Sequence, residues 1–237
     1  TALLRDMEKV AQMALPQAVT GPHTKIQQKL LHGPLAATIV RQATLQRADL
    51  VILGTRGLSE APGFLLGSVS RKVAGSCGRA CLVVKQPLHA LKQVVLAVDG
   101  SKFSRSAALF LRDRLLPEEA TVTILSVAEP VVTELAANLL SARDLQQLGQ
   151  PALEQAQHVV ETFRDLFMKE GFYVKTEVCS GRASDTILDY LTTNPADLLV
   201  VGSRGLVGTE RLQLGSVSET LLKYVSCAFL LVRGGHA

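Results

Sequence analysis

Tryptophan is absent from this 237-residue chain, and aromatic residues make up only 4% of it. Proteins that hold nucleic acid by stacking bases need exposed rings, so the shortage counts against such a platform. Charge of one sign is also scarce: 25 basic against 21 acidic residues leave a formal +4. That excess is too small to form the basic footprint phosphate backbones require. No run nears the roughly 18 apolar residues a membrane helix needs. The opening Thr-Ala-Leu-Leu-Arg-Asp-Met-Glu is not a signal peptide, and position 1 is not Met. Cys77, Cys81, Cys179 and Cys227 form no CxxC pair and no zinc-like spacing. Cys81, Cys179 and Cys227 lie in or beside apolar runs. Buried free thiols in a reducing cytoplasm are therefore expected, with redox chemistry at Cys77 and Cys81 a minor alternative. What remains is a core-forming globular chain, 47% apolar and 19% charged.

Its length is generous for one average domain and short for two. An internal repeat explains this. Residues 48–58 (ADLVILGTRGL) match 196–206 (ADLLVVGSRGL) at seven of eleven positions, and Gly67-Ser68-Val69-Ser70 recurs as Gly215-Ser216-Val217-Ser218. The offset is a gapless 148 residues, as between Gly54 and Gly202, and it also pairs Gly33 with Gly181 and Thr38-Ile39 with Thr186-Ile187. The chain holds two copies of one unit.

The second copy, 93–237, reads from end to end. Val-rich apolar runs predict strands at 93–99, 121–127, 172–179, 197–201 and 228–232. Helices are predicted at 104–116, 151–170, 183–193 and 216–226, stopped by Pro117, Gly171 and Asn194-Pro195. Residues 129–150 are expected to be the mobile part. Alternating strands and helices imply an α/β fold with a parallel sheet covered on both faces. The first copy, 1–86, is expected to open inside the unit's long helix and to retain that helix, a strand near 24–31, a helix, the strand 49–53, a glycine loop, a helix from Ser68 and the strand 80–84. Residues 87–92 are a linker.

Each glycine loop follows a buried strand at its carboxyl end, where α/β folds bind ligands. Gly202 and Gly205 allow a sharp turn and a close approach of backbone to ligand. Gly215 and Ser216 stand before a helix, whose first amides are unpaired and suit phosphate. Arg204 and Arg211 are available to neutralise it. The plainer alternative makes Ser216 a helix cap, since Ser216-Val217-Ser218-Glu219 fits a capping box. Asp99, before Gly100-Ser101, is likewise open to a turn-capping role. The spacing is neither GxGxxG nor GxxxxGK[ST].

G-2x-G-9x-G-[S/T] after a strand opening with Ala-Asp resembles the nucleotide-binding signature of the universal stress protein family. Val94–Ser101 (VVLAVDGS) is similar to that family's first strand. The resemblance implies a five-stranded parallel sheet in the order 3-2-1-4-5, with ATP, ADP or AMP between the first and fourth strands. It implies that Asp99 contacts the adenosine and that Ala97 and Val127 lie near ribose and adenine. Gly202, Gly205, Gly215, Ser216 and Val217 would hold the phosphates, often with Mg and without direct protein ligation of the metal. Gly54, Gly57, Gly67, Ser68 and Val69 are the matching first-copy positions, a weaker second site without its Asp99 equivalent.

Nothing catalytic is legible. His23, His32, His89, His158 and His236 join no Ser/Asp constellation. The reading is a cytoplasmic, non-catalytic ATP-binding stress-response module, with any ATPase activity slow and incidental. The rival is a nucleotide-free interaction protein of the same fold acting through dimerisation. Nucleic acid and membrane are not expected partners. The last strands, 80–84 and 228–232, are expected to pair across a pseudo-two-fold axis, because edges of this kind are usually paired. A homodimer is compatible with this. The first copy lacks a counterpart of residues 93–148, so it is not expected to fold alone. On repeat arithmetic the native chain is expected to run to about 290 residues. An intact mass of 25.4 kDa for the purified native protein, with a well-folded first copy, would contradict that expectation.

Overall fold

The computed structural model describes residues 25, 27, 29–55, 66–129, 141–206 and 214–234. The first copy contributes α1 (Leu35–Leu45), β1 (Leu50–Gly54), α2 (Ser68–Ser76) and β2 (Ala80–Val84). The second contributes β3 (Gln93–Ala97), α3 (Lys102–Arg114), β4 (Thr121–Ala128), α4 (Ala142–Met168), β5 (Tyr173–Ser180), α5 (Ala183–Thr193), β6 (Leu198–Gly202), α6 (Ser216–Tyr224) and β7 (Ala228–Val232). All four first-copy elements begin and end at positions equivalent to those of α5, β6, α6 and β7. The likeness extends to single torsions: Gly33 and Gly181, just before α1 and α5, both hold positive φ, 129° and 142°. A side chain is strained there, which accounts for glycine at both positions.

The strands form one seven-stranded sheet in the order β1-β2-β7-β6-β3-β4-β5. The last strands of the two copies pair as expected, so the sheet runs on past the five strands of the order 3-2-1-4-5 into the first copy. All neighbours are parallel except β2 and β7, which pair antiparallel. Cys81 faces Leu231, Leu82 faces Leu230 and Val83 faces Phe229. Leu82 and Leu230 are repeat equivalents, so a local two-fold passes between them. Within the second copy, β5, β4, β3, β6 and β7 lie in sequence.

Strand residues alternate between two cores, as a two-sided sheet requires. Val94, Leu96, Leu198, Val200 and Leu230 face α3 and α4. Val95, Leu199, Val201, Phe229 and Leu231 pack with Leu221 and Leu222 of α6, Ile187 of α5 and Val73 of α2. Helix α4 presents Ala156, Val160, Phe163 and Phe167 as one buried stripe. Phe167 meets Phe172 edge-on at 6.2 Å. Burying side chains of this size contributes about 1.5–3 kcal/mol each.

Three expectations are revised. Among the described residues near 24–31 no strand forms: Lys25, Gln27 and 29–31 are irregular and exposed. In the second copy the equivalent strand, β5, hydrogen-bonds to β4 along its whole length; the described first copy offers no such neighbour. Helix α4 begins at Ala142 rather than at Pro151, which lies inside it. Proline favours a first turn but only weakens an interior one when the packed stripe continues. The segment expected to be mobile is therefore helical from Ala142, and residues 130–140 lie outside the described residues.

The thiols are free, with Cys77, Cys81 and Cys227 buried and Cys179 half-buried. A hydrogen bond between Cys77 and Cys81 holds Cys77 down at about 6 and, with burial, pushes Cys81 up. Among the described residues no helix is long and apolar enough to cross a membrane.

The copies differ sharply in burial. Strand β6 is buried throughout, whereas every residue of β1 is half-buried or exposed. Ile52 is 63% exposed and its equivalent Val200 is 0% exposed. Val200→Lys should cost more than about 4 kcal/mol, the range for an unpaired buried charge, while Ile52→Lys should stay within about 0.5 kcal/mol. Urea unfolding of the two variants measures this.

Candidate functional site

The site begins at the carboxyl end of β6. Strand β3 lies between β6 and β4, and the chain crosses to opposite sides of β3. Such switch points open a crevice at the strand ends. Gly202 closes the strand against the first turn of α3. A Cβ there would lie 2.7 Å from the Phe103 carbonyl carbon and 2.8 Å from Ser104 N. Only glycine permits that approach. Helix α3 is fixed from its own side as well: Ser101 Oγ accepts from Ser104 N at 3.2 Å, and Asp99 Oδ1 accepts from Ser101 N at 3.0 Å. The turn-capping role open to Asp99 is thus filled by one oxygen. The other faces the loop, and a Cβ on Gly205 would lie 2.8 Å from Oδ2.

The ends of the glycine loop are tied together. Ser203 N donates to Val232 O at 2.8 Å, and Gly215 N donates to Ser203 O at 2.9 Å. Ser218 Oγ donates to Gly202 O at 2.8 Å. Gly215 thereby comes beside Arg204 and Gly205. It is also the N-cap of α6, with no side-chain cap bond. This corrects the capping-box alternative: Ser216 is the first residue of the helix, one position too late to cap it. No side chain thus caps the early amides of α6, and a helix start carries partial positive charge.

These elements enclose a cavity of about 670 Å³. Ala97, Asp99, Val127, Gly202, Gly205, Gly215, Ser216 and Val217 all line it, as does Arg204. Ala152, Gln155, Ala156 and Val159 of α4 form a wall, one that sequence spacing did not assign. Glu129 was also missed. It lines the cavity and accepts from Ala183 N at 2.6 Å through Oε1. The start of α5 therefore already has a carboxylate bonded to its first amide, whereas Glu219 in the first turn of α6 does not line the cavity. Of the two helix ends at the cavity, α6 is the one left for an anion. Among the described residues no cluster of three His, Cys, Asp or Glu could hold a metal ion.

The first copy repeats half of this. Gly67 N donates to Thr55 O at 2.9 Å, and Ser70 Oγ donates to Gly54 O at 2.6 Å. Gly67 caps α2 with backbone angles within 2° of those at Gly215. Ser68 is exposed and Val69 half-buried. Gly57 and Arg211 lie outside the described residues. Among the described residues nothing lies within 4 Å of a Cβ added at Gly54. The described ends of the loop are repeated, and among the described residues no counterpart of α3 or α4 stands beside them.

The sheet, covered on both faces, and the crevice at its strand ends define a doubly wound α/β fold. The sequence profile of the universal stress protein family matches residues 2–85 and again 90–233, and the chain belongs to that family. It is 29% identical over 156 residues to universal stress protein MJ0531 of Methanocaldococcus jannaschii, covering 64% of this chain and 87% of that protein. It is 27% identical over 187 residues to universal stress protein Slr1230 of Synechocystis, covering 78% of this chain but only 58% of the relative. A universal stress protein structure from Archaeoglobus fulgidus superposes with a TM-score of 0.63 at 19% identity, over 98% of this chain and 79% of that one.

The Gly54/Gly202 pair offers an internal control. Gly202→Ala should destabilise the chain by about 1–3 kcal/mol through overpacking against backbone. Gly54→Ala should be neutral or stabilise by up to about 1 kcal/mol, through lost unfolded-state entropy. Thermal melts of both variants decide it.

Proposed function

We propose that the second-copy cavity binds an adenine nucleotide, ATP or its di- and monophosphate, and that occupancy shifts conformation or assembly. The observation that carries this reading is the convergence of the eight expected residues on one cavity beside the uncapped start of α6. Phosphates would meet the amides of Gly215, Ser216 and Val217, with Arg204 adding charge. Ribose and base would lie over the ends of β3 and β4, between Asp99 and Val127. A magnesium ion would be held through the phosphates. The reading assigns no chemical step to the protein. It makes the chain a cytoplasmic stress-response module whose copies pair through β2 and β7, with a homodimer an addition to that joint. The first-copy loop supports a phosphate contact at most.

Protein purified without added nucleotide and then heated should release adenine nucleotide detectable by chromatography. ATP at about 100 times its Kd should raise the melting temperature by about 5–10 °C. Gly205→Val displaces the Asp99 carboxylate and Ser216→Ala removes a phosphate donor, so the double variant should show neither effect. Absence of both effects in the wild-type protein would favour the rival, a nucleotide-free interaction protein.

A further inference from the structure

Lys85 and Arg233 are repeat equivalents, each the first residue beyond the last strand of its copy. Each reaches across the β2–β7 joint into the last helix of the other copy. Lys85 Nζ donates to Leu222 O and Val225 O, both at 2.7 Å, at the C-terminal end of α6. Arg233 Nη2 donates to Ala74 O at 3.0 Å and Gly75 O at 2.7 Å, at the C-terminal end of α2. Ala74 and Leu222 are also equivalents, so the exchange is reciprocal about the local two-fold. Last-turn carbonyls have no donor within their own helix, and a cation there is favourable. Helix α2 has no basic residue of its own in that turn. Arg233 is 6% exposed, so this contact is made out of reach of bulk water.

What lies behind the two cations differs. The residue before Arg233, Val232, accepts the Ser203 amide that starts the glycine loop. The residue after it, Gly234, sits against Phe103, where a Cβ would lie 3.1 Å from the ring. Arg204 of the loop lies over the same ring at 5.7 Å. The chain on both sides of Arg233 thus touches two walls of the cavity, the glycine loop and the first turn of α3. Lys85 grips the far end of α6, nine residues along the helix from the loop.

We propose that Arg233 is a positioning residue for the cavity: by anchoring the end of β7 to α2, it makes the glycine loop depend on the docked first copy. The first copy then has a role that needs no ligand of its own. The anchoring stands independently of the nucleotide reading, and its effect on affinity rests on that reading.

The test uses the full chain with Arg233→Gln, Arg233→Lys and Lys85→Met. In the ligand-free proteins, hydrogen exchange at the Ser203 and Gly215 amides should quicken about tenfold in Arg233→Gln and less in Arg233→Lys. In Lys85→Met both amides should keep the wild-type rate, although this variant also lowers the melting temperature. The Kd for ATP with magnesium, measured by calorimetry, should rise about tenfold in Arg233→Gln and stay unchanged in Lys85→Met. Should Arg233→Gln not fold, Arg233→Lys carries the comparison. Equal effects of the Arg233 and Lys85 variants on the two amides, or no effect of either, would overturn the proposal. A wild-type protein that binds no ATP would defeat the nucleotide reading, leaving the amides to decide this one.

Discussion

At the end of β6 the backbone of Gly202 and that of Phe103 and Ser104 approach so closely that no side chain fits between them. Much of the site follows from this contact. It brings the first turn of α3 to the strand end, and so places Asp99, which precedes that turn, opposite Gly205. It fixes where the glycine loop leaves the sheet, and the Ser203 and Gly215 bonds then return the loop to the start of α6. Few attractive interactions are involved. A steric allowance at one residue sets the positions of three elements, and the cavity is the space they leave.

The first copy shows what this contact contributes. The described ends of its loop repeat two bonds of the second copy, at Gly67 N and Ser70 Oγ, yet among the described residues nothing lies near a Cβ added at Gly54, and Ile52 is exposed. Among the described residues the same local sequence therefore places two loop ends but lines a walled cavity at one of them. The walls come from α3 and α4, and both belong to the second copy. The joint between the copies is built from their most similar parts, the last strands and last helices. It is symmetric where it binds and asymmetric in what it supports, since only Arg233 is flanked by cavity walls.

Much of the fold was legible because buried parallel strands are short apolar runs separated by helix-length intervals. Strands 80–84 and 228–232 and helix 183–193 were read to the residue for that reason. The repeat carried the glycine loop, where spacing is geometry. Legibility failed where the outcome depended on distant neighbours. Residues near 24–31 have strand-like composition, but a strand also needs a partner to hydrogen-bond. Pro151 marks a favourable helix start, yet packing carries α4 through it. The Ser-x-x-Glu pattern at Ser216 fits a capping box, but Gly215 has the extended backbone and its carbonyl accepts from Glu219 N, which makes Gly215 the cap. Glu129 and the α4 wall gave no signal because their roles arise from contacts more than twenty residues away. Lys85 and Arg233 are visible as equivalents, but nothing local says that each serves the other copy.

The most direct measurement of the central claim is an amide-resolved NMR titration of the full chain with ATP and magnesium. The account predicts saturable shifts at Gly205, Gly215, Ser216 and Val217, smaller ones at Ala97 and Val127, and much weaker or absent shifts at Gly67, Ser68 and Val69. Equal shifts in both loops would contradict the claim that α3 and α4 make the site. No saturable shift at Gly215 and Ser216 would contradict the claim that the cavity is a nucleotide site at all.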